Sequence, residues 1–439
     1  MPRNLAAGRI QSCEERPLRG ATVERALPCV ILTNVRLGAS AAPPRVALRD
    51  GAVLTRFSRH FLVLGVLASS LAPRPVTAAE ADPGPPLDEP VAKLSAAFVC
   101  PAGLHHPEHR PVLLVHGTSV TVQENWGWTY IPALKQAGYD VCTIQMPDYA
   151  FVDVQVSAEY VVYAIRQMAR LSKQRISVVG LSQGGIEPRW ALKWWPDIHD
   201  DVASYVGMAT PNHGSVYGNG CAGSCIPSVW QQAVGANLIN ALNRGNEAPY
   251  IGSVAYTTVY SRTDDIIQPA YPAPTGAVAG GSNIAVQDIC PGRYVGHIQS
   301  MWDAVYYAVV MDALSHAGPA DPGRIDNAVC LQQGMPGVDA ITGATMTAEL
   351  YAIAVDRQSV YPGRNSGELP LRCYAAMPPC PTPAQASTAT PRAGAAANAR
   401  GLPNTSSGGQ TLNVWVLFVF GLIVLAHIRL WRRCVGPEP

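Results

Sequence analysis

The chain has no excess of charge of either sign: Lys+Arg number 32 and Asp+Glu 31, for a formal net charge of +1. That balance removes the electrostatic footprint expected of a nucleic-acid binder. Charged residues make up only 14% of the 439 residues. No internal repeat is present, which excludes a solenoid or propeller. No Cys/His cluster has zinc-ligand spacing either, because Cys221-x-x-x-Cys225 lacks a second pair nearby, so no metal site is expected. Gly and Pro, by contrast, are plentiful at 39 and 38, which points to long surface loops.

Two apolar segments bear on the compartment. Residues 61–71 (FLVLGVLASSL) follow Arg56 and Arg59 and precede the small-residue stretch 76–81 (VTAAEA). A basic flank, a short apolar run and a small-residue cleavage site describe a secretory signal peptide, and Pro73 and Pro75 stop the run from continuing as a helix. Residues 1–52 are Arg-rich without sustained periodicity. A start codon placed too early, with initiation near Val53, is the preferred explanation; a genuine N-terminal extension is the other. The second segment, 412–428 (LNVWVLFVFGLIVLAHI), precedes Arg429, Arg432 and Arg433. At 1.5 Å per residue it spans about 26 Å, near the lower limit for crossing a bilayer. The basic tail would stay cytoplasmic, leaving the rest outside. Just upstream, Leu402-Pro403-Asn404-Thr405-Ser406 resembles a sortase-type sorting signal, with Ser406 in place of the usual glycine. A simple membrane anchor is the preferred reading.

Of eleven cysteines, eight lie between the apolar segments: Cys100, Cys142, Cys221, Cys225, Cys290, Cys330, Cys373 and Cys380. An even number in an exported domain implies disulfides, whose pairing sequence alone does not resolve. The chain thus divides into an extension or artefact (1–52), a signal (53–79), a catalytic domain (80–380), a linker (381–411), an anchor (412–428) and a basic tail (429–439). The linker holds almost no large apolar residue, so it cannot bury enough surface to offset its ordering entropy, and it would act as a stalk.

Between residues 80 and 380 short apolar runs alternate with helical patterns. Residues 112–115 (VLLV), 141–146 (VCTIQM), 176–179 (ISVV), 206–208 and 257–260 (TTVY) read as buried strands, and 157–171 and 186–195 as helices. Such alternation implies an α/β fold with a doubly wound, mostly parallel sheet, whose ligands bind beyond the carboxyl ends of the strands.

The motifs that carry chemistry fall at those ends. Gly180-Leu181-Ser182-Gln183-Gly184 is G-x-S-x-G between a strand and a helix. A serine on so tight a turn needs small neighbours, and the following helix directs its N-terminus at developing negative charge. The N–H of Gln183 is one expected oxyanion donor. Thr118, in His116-Gly117-Thr118 after VLLV, is the other, through its N–H and hydroxyl. His116 precedes the nucleophile and is read as structural. The remaining members should follow as acid and then histidine. Tyr260-Ser261-Arg262-Thr263-Asp264-Asp265 places two acids after a strand, with Asp264 preferred. Three histidines need weighing downstream. His427 lies in the anchor, and His316 ends a helical stretch at the surface. His297 lies in a loop before a helix and is the expected general base.

The stretch from Phe98 to about Cys380 resembles the α/β-hydrolase lipases related to lipase B of Candida antarctica. The likeness runs through Pro111-Val112-Leu113-Leu114-Val115-x-Gly117-Thr118, Ser182-Gln183-Gly184-Gly185, Ser228-Val229-Trp230-Gln231-Gln232 and Tyr260-Ser261-x-Thr263-Asp264-x-Ile266-x-Gln268-Pro269. Thr210-Pro211-Asn212-His213-Gly214 also looks like a segment of small bacterial lipases, which makes His213 a loop residue. The resemblance implies triacylglycerol lipase or carboxylesterase activity without a cofactor. A monomer is expected. It implies Ser182 as nucleophile, Asp264 as acid, His297 as base, and Thr118 with Gln183 as the oxyanion hole. It also implies disulfides Cys100–Cys142 and Cys290–Cys330, leaving Cys373–Cys380 and Cys221–Cys225 as local pairs.

Three departures bear on substrate. Leu181 stands where the yeast enzyme has an indole, which would widen the alcohol side of the pocket. The stretch 215–227 carries an extra cysteine pair and several glycines. Pro188 is tolerable only in a first helical turn. Ester or lipid is the expected substrate class. An envelope acyltransferase using the same triad is the alternative, and a non-catalytic surface binding protein a further one. A peptidase is open to the same chemistry, but the specific strings point elsewhere.

Overall fold

The computed structural model describes residues 82–377, apart from 102, 103, 105, 222, 251, 271 and 272. The expected signal, linker, anchor and tail, with Cys380 and His427, lie outside the described residues. Among the described residues no helix is long and apolar enough to cross a membrane.

The sheet grows from runs that are apolar on both faces. Val112–Val115 is buried at every position. Leu113 and Val115 enter one core, shared with Val154, Val161 and Ile165 of the Val154–Ser172 helix and with Trp190 of the Ile186–Trp194 helix. Val112 and Leu114 enter a second core with Trp126, Tyr130, Val305 and Tyr306. The strand's alternation of side chains thus divides one four-residue run between two layers of helix, as in any sheet covered on both faces.

Seven strands form the sheet: β1 (Phe98–Val99), β2 (Val112–Val115), β3 (Val141–Ile144), β4 (Ile176–Leu181), β5 (Val202–Met208), β6 (Ala255–Tyr260) and β7 (Ser282–Ala285). Their spatial order is β1-β3-β2-β4-β5-β6-β7. All neighbours are parallel except β1, which runs antiparallel to β3. The doubly wound, mostly parallel sheet expected from the sequence is therefore present, with strands added at both edges. β1 is only two residues long, and β7 (SNIA) is half polar, so neither gives an apolar run to read. The chain leaves β2 toward one edge and returns at β4 toward the other, so the order reverses between them. The ends Val115 and Gly180 are paired there, and that crevice is where ligands of such sheets bind.

The Val154–Ser172 helix starts on Asp153, whose side chain accepts from the N–H of Gln155, and ends at Lys173 in the left-handed region. In the Ile186–Trp194 helix Pro188 is the third residue, where no intrahelical N–H is required of it. Cys100 is bonded to Cys142 beside the β1–β3 pair, Cys290 to Cys330, and Cys221 to Cys225. Cys373 is also disulfide-bonded.

Candidate active site

Ser182 follows β4 directly and opens a tight 3-10 turn, Ser182–Gly185, that runs into the Ile186–Trp194 helix. Its φ is 56°, in the left-handed region that non-glycine residues avoid. The glycines around it are required by contact. A Cβ on Gly180 would overlap the main chain of Gly184 and Gly185, and one on Gly184 would overlap the carbonyls of Val115 and His116. A Cβ on Gly117 would press on that of Ser182 at 3.2 Å. The G-x-S-x-G pattern is thus the sequence trace of three backbones converging on one side chain.

Two loops beyond the sheet complete the cluster. After β6, the side chains of Ser261 and Thr263 hydrogen-bond each other at 2.9 Å. Thr263 Oγ1 in turn donates to the carbonyl of Val295 at 3.1 Å and accepts from its N–H at 2.9 Å. This pins the acid-bearing loop to the histidine-bearing one. Asp264 Oδ1 accepts the main-chain N–H groups of Ile266 and Ile267 at 2.9 and 2.7 Å. Its Oδ2 lies 3.0 Å from His297 Nδ1. On the far side of the ring, His297 Nε2 lies 3.0 Å from Ser182 Oγ. All three side chains are buried. Their spacing orients the imidazole with Nδ1–H toward the carboxylate and Nε2 free to accept from the serine.

Burial alone would push the His297 pKa down. The charge and hydrogen bond of Asp264, with the charge of Asp265 added, outweigh burial and hold it above the ordinary value of 6.5. Asp265 is exposed and does not touch the ring; its Oδ1 accepts the main-chain N–H of His297 at 2.7 Å. The two adjacent acids therefore do different work, and Asp264 is the one facing the imidazole.

Across the crevice, Thr118 Oγ1 donates to Gln183 Oε1 at 2.5 Å, and Gln232 Nε2 donates to the same oxygen at 3.0 Å. The amide nitrogen of Gln183 donates to Glu187 Oε1 at 2.8 Å. The expected hydroxyl donor is thus engaged with the neighbouring glutamine side chain in this state. The main-chain N–H groups at the start of the turn have no partner inside it by construction. His116 is fully buried, with Nδ1 2.8 Å from the carbonyl of Gly117 and Nε2 accepting from the N–H of Met146 at 2.9 Å. Burial lowers its pKa to about 4, against smaller raising effects of Gly117 and Glu124. It is a neutral strut for the loop that carries Thr118.

His213 pairs with Glu247 at 3.1 Å, and His316 with Asp312 at 3.2 Å; neither joins the cluster. Sequence reasoning passed over Glu187, Gln232 as a partner of Gln183, and the link from Asp265 to Tyr351. The signal for Gln232 was available in the Ser-Val-Trp-Gln-Gln string. Nothing in the sequence marks Glu187 beyond its place five residues after the serine.

A serine on the turn after β4, an acid beyond β6 and a histidine beyond β7, at the carboxyl ends of a doubly wound sheet, form the arrangement of the α/β-hydrolase fold. No family model matches the chain. It is 32% identical over 276 residues to lipase B of Pseudozyma (Candida) antarctica, across 60% of this chain and 80% of that one. The crystal structure of Aspergillus fumigatus lipase B matches with a TM-score of 0.62 and 29% identity, covering 67% of this chain and 73% of that one. The chain belongs to the lipase B family, and with it to the carboxylic-ester hydrolases.

Proposed function

We propose that the protein hydrolyses carboxylic esters through an acyl-enzyme on Ser182. The observation that carries this reading is the continuous chain from Ser182 Oγ through His297 to Asp264, with both links at 3.0 Å. His297 Nε2 takes the proton of Ser182 as Oγ attacks the ester carbonyl. Asp264 holds the ring in the Nδ1–H tautomer and stabilises the imidazolium that forms. The oxyanion is met by the N–H of Gln183 and by Thr118. The tetrahedral intermediate then collapses as the imidazolium passes its proton to the leaving alcohol. A water, deprotonated by the same nitrogen, attacks the acyl-enzyme and releases the acid.

The protein is exported, with residues 53–79 as signal, and is held at the cell surface by residues 412–428 on the stalk 381–411. The disulfides of the described domain support an oxidising compartment. The test of the chemistry is hydrolysis of p-nitrophenyl esters from acetate to palmitate by wild type and Ser182→Ala. Activity in the wild type that the variant lacks supports the mechanism, and the chain-length profile separates esterase from lipase. Equal rates in both folded proteins would overturn it.

A further inference from the structure

Glu187 is a buried acid inside the site that the reaction above does not use. It is fully buried in the first turn of the Ile186–Trp194 helix, a position an apolar residue would fill without desolvation cost. Its Oε1 takes the Gln183 amide nitrogen at 2.8 Å, while its buried Oε2 has no hydrogen-bond partner among the described residues. On the other end of the same amide, Oε1 of Gln183 takes the Thr118 hydroxyl at 2.5 Å and Gln232 Nε2 at 3.0 Å. Two donors on one end and an acceptor on the other leave the amide a single orientation. The line Glu187–Gln183–Thr118 therefore bridges the turn after β4 and the loop after β2, the two segments whose separation sets the spacing of the oxyanion donors.

We propose that Glu187 is a positioning residue for the oxyanion hole: its carboxyl group anchors the Gln183 side chain, which in turn takes the Thr118 hydroxyl and so sets where the Thr118 main-chain N–H meets the tetrahedral intermediate. This rests on Thr118 and Gln183 being the oxyanion donors. It goes beyond that reading by making the donors' geometry depend on a third, titratable side chain. Burial raises the Glu187 carboxyl to about 8, against the smaller lowering effects of Gln183 and its own N–H. Around neutrality it is uncharged. Above that range it becomes an anion buried beside a site built to hold developing negative charge, and the two oppose each other.

Other ionisable groups on and around this helix are accounted for. Arg189 on the same helix is buried and bound to Asn212, Asn243 and the carbonyl of Glu247. Lys193, further along, loses its proton at about 8 because burial and two arginines disfavour it; its amine binds the carbonyls of Arg244 and Asn246. On β5, the Tyr205 hydroxyl donates to the carbonyl of Gly185 and is raised by burial to about 12. On the Val154–Ser172 helix, Glu159 pairs with Arg372, Tyr160 with Glu89 and Arg166 with Asp197. Asp197 and His199 follow in the next turn. All of these are present in both wild type and Glu187→Gln, so the comparison isolates Glu187.

The experiment measures kcat and KM for p-nitrophenyl butyrate from pH 6 to 10 in wild type, Glu187→Met, Glu187→Gln and Ser182→Ala. Rates are normalised to sites titrated with an alkyl fluorophosphonate, and for Ser182→Ala, which has no serine to titrate, to the concentration of folded protein. Glu187→Met is expected to lose about 10- to 100-fold in kcat with KM within about threefold, because the oxyanion hole acts in the transition state. Glu187→Gln restores the acceptor for Gln183 and is expected to bring kcat back to within about threefold of wild type. Wild-type kcat is expected to decline above pH 8, and Glu187→Gln to abolish that decline. If Glu187→Met does not fold, the alkaline limbs of wild type and Glu187→Gln decide alone. A Glu187→Met protein with wild-type kcat per titrated site, or a Glu187→Gln protein with the same alkaline decline as wild type, would overturn the proposal. Activity surviving in Ser182→Ala would instead sink the underlying mechanism, a separate outcome.

Discussion

Asp265 accepts the main-chain N–H of His297 at 2.7 Å through Oδ1 and the hydroxyl of Tyr351 at 2.5 Å through Oδ2. One exposed carboxylate thereby joins the histidine loop to a helix, Ala340–Val360, that begins more than forty residues later. The join is close: a Cβ on Gly296 would come to 2.9 Å of Asp265 Oδ1, so a side chain there would displace that carboxylate. At its other end the same helix sends Arg357 to both carboxylate oxygens of Glu124, at 2.6 and 2.8 Å, and to the carbonyl of Ser119 at 2.9 Å. The helix is pinned by one residue beside the base and by another beside the Thr118 loop.

Replacing Asp265 by Asn tests the electrostatic part of that link. Asp265 helps to hold the His297 pKa above 6.5, and His297 must be neutral to accept the Ser182 proton. The acid limb of kcat/KM should therefore move to lower pH in Asp265→Asn, because a smaller raising influence leaves the base neutral further into acid. The plateau rate should stay within about tenfold, since Asp264 still orients the ring. A pH–rate profile from pH 4 to 8 checks this; an unmoved or upward-shifted limb would contradict it.

Gly180→Ala probes the crowding behind the nucleophile. The added methyl would meet main-chain atoms of Gly184 and Gly185, which cannot turn aside as a flexible side chain would. Overpacking of this kind typically costs about 1–3 kcal/mol. Because the strain falls on the turn that carries Ser182, activity should drop further than unfolding explains. Gly235 has a φ of +85° and nothing within 4 Å of its added Cβ, so Gly235→Ala should destabilise through backbone strain alone and leave kcat unchanged. Denaturant unfolding together with kcat per titrated site distinguishes the two.

The central strands were legible because each is apolar on both faces, and the approach of Ser182, Asp264 and His297 was legible because strand–turn–helix context and chain order restrict where such groups lie. The edge strands were not: a two-residue β1 and the polar Ser282-Asn283 of β7 carry no periodic signal. Strand boundaries also moved. β5 begins at Val202, four residues before its obvious apolar core, because Ser204 is carried into the sheet by pairing with β6 rather than by its own hydrophobicity. The links to the Ala340–Val360 helix are contacts between residues 86 and 233 positions apart, which no local pattern encodes. Glu187 was hidden for another reason: an acid early in a helix reads as favourable to the dipole and exposed, whereas packing buries this one completely.

Two glutamates near the site should give opposite pH signatures in stability. Burial works against the charge of Glu124, but the hydrogen bonds of Arg357 and Thr121 outweigh it, and the carboxyl is held below its ordinary 4.5. Its contribution is present above pH 4.5 and is lost as pH falls through the depressed folded value. Arg357→Met should therefore be less stable than wild type at pH 7, with the gap closing in acid. Glu187 behaves in reverse. With its folded pKa raised from 4.5 to about 8, the native state keeps a proton that the unfolded chain has released. Native stability then falls as pH rises between those values, by at most about 1.4 kcal/mol per pH unit. Glu187→Gln removes that penalty, so its stability relative to wild type should rise from pH 4.5 to about 8 and stay level beyond. Urea unfolding of the three proteins at pH 4, 6 and 8.5 separates the cases. Wild type and Glu187→Gln running parallel across that range would mean that Glu187 is ionised in the folded protein, and that Gln183 is held by a charge rather than by a neutral acid.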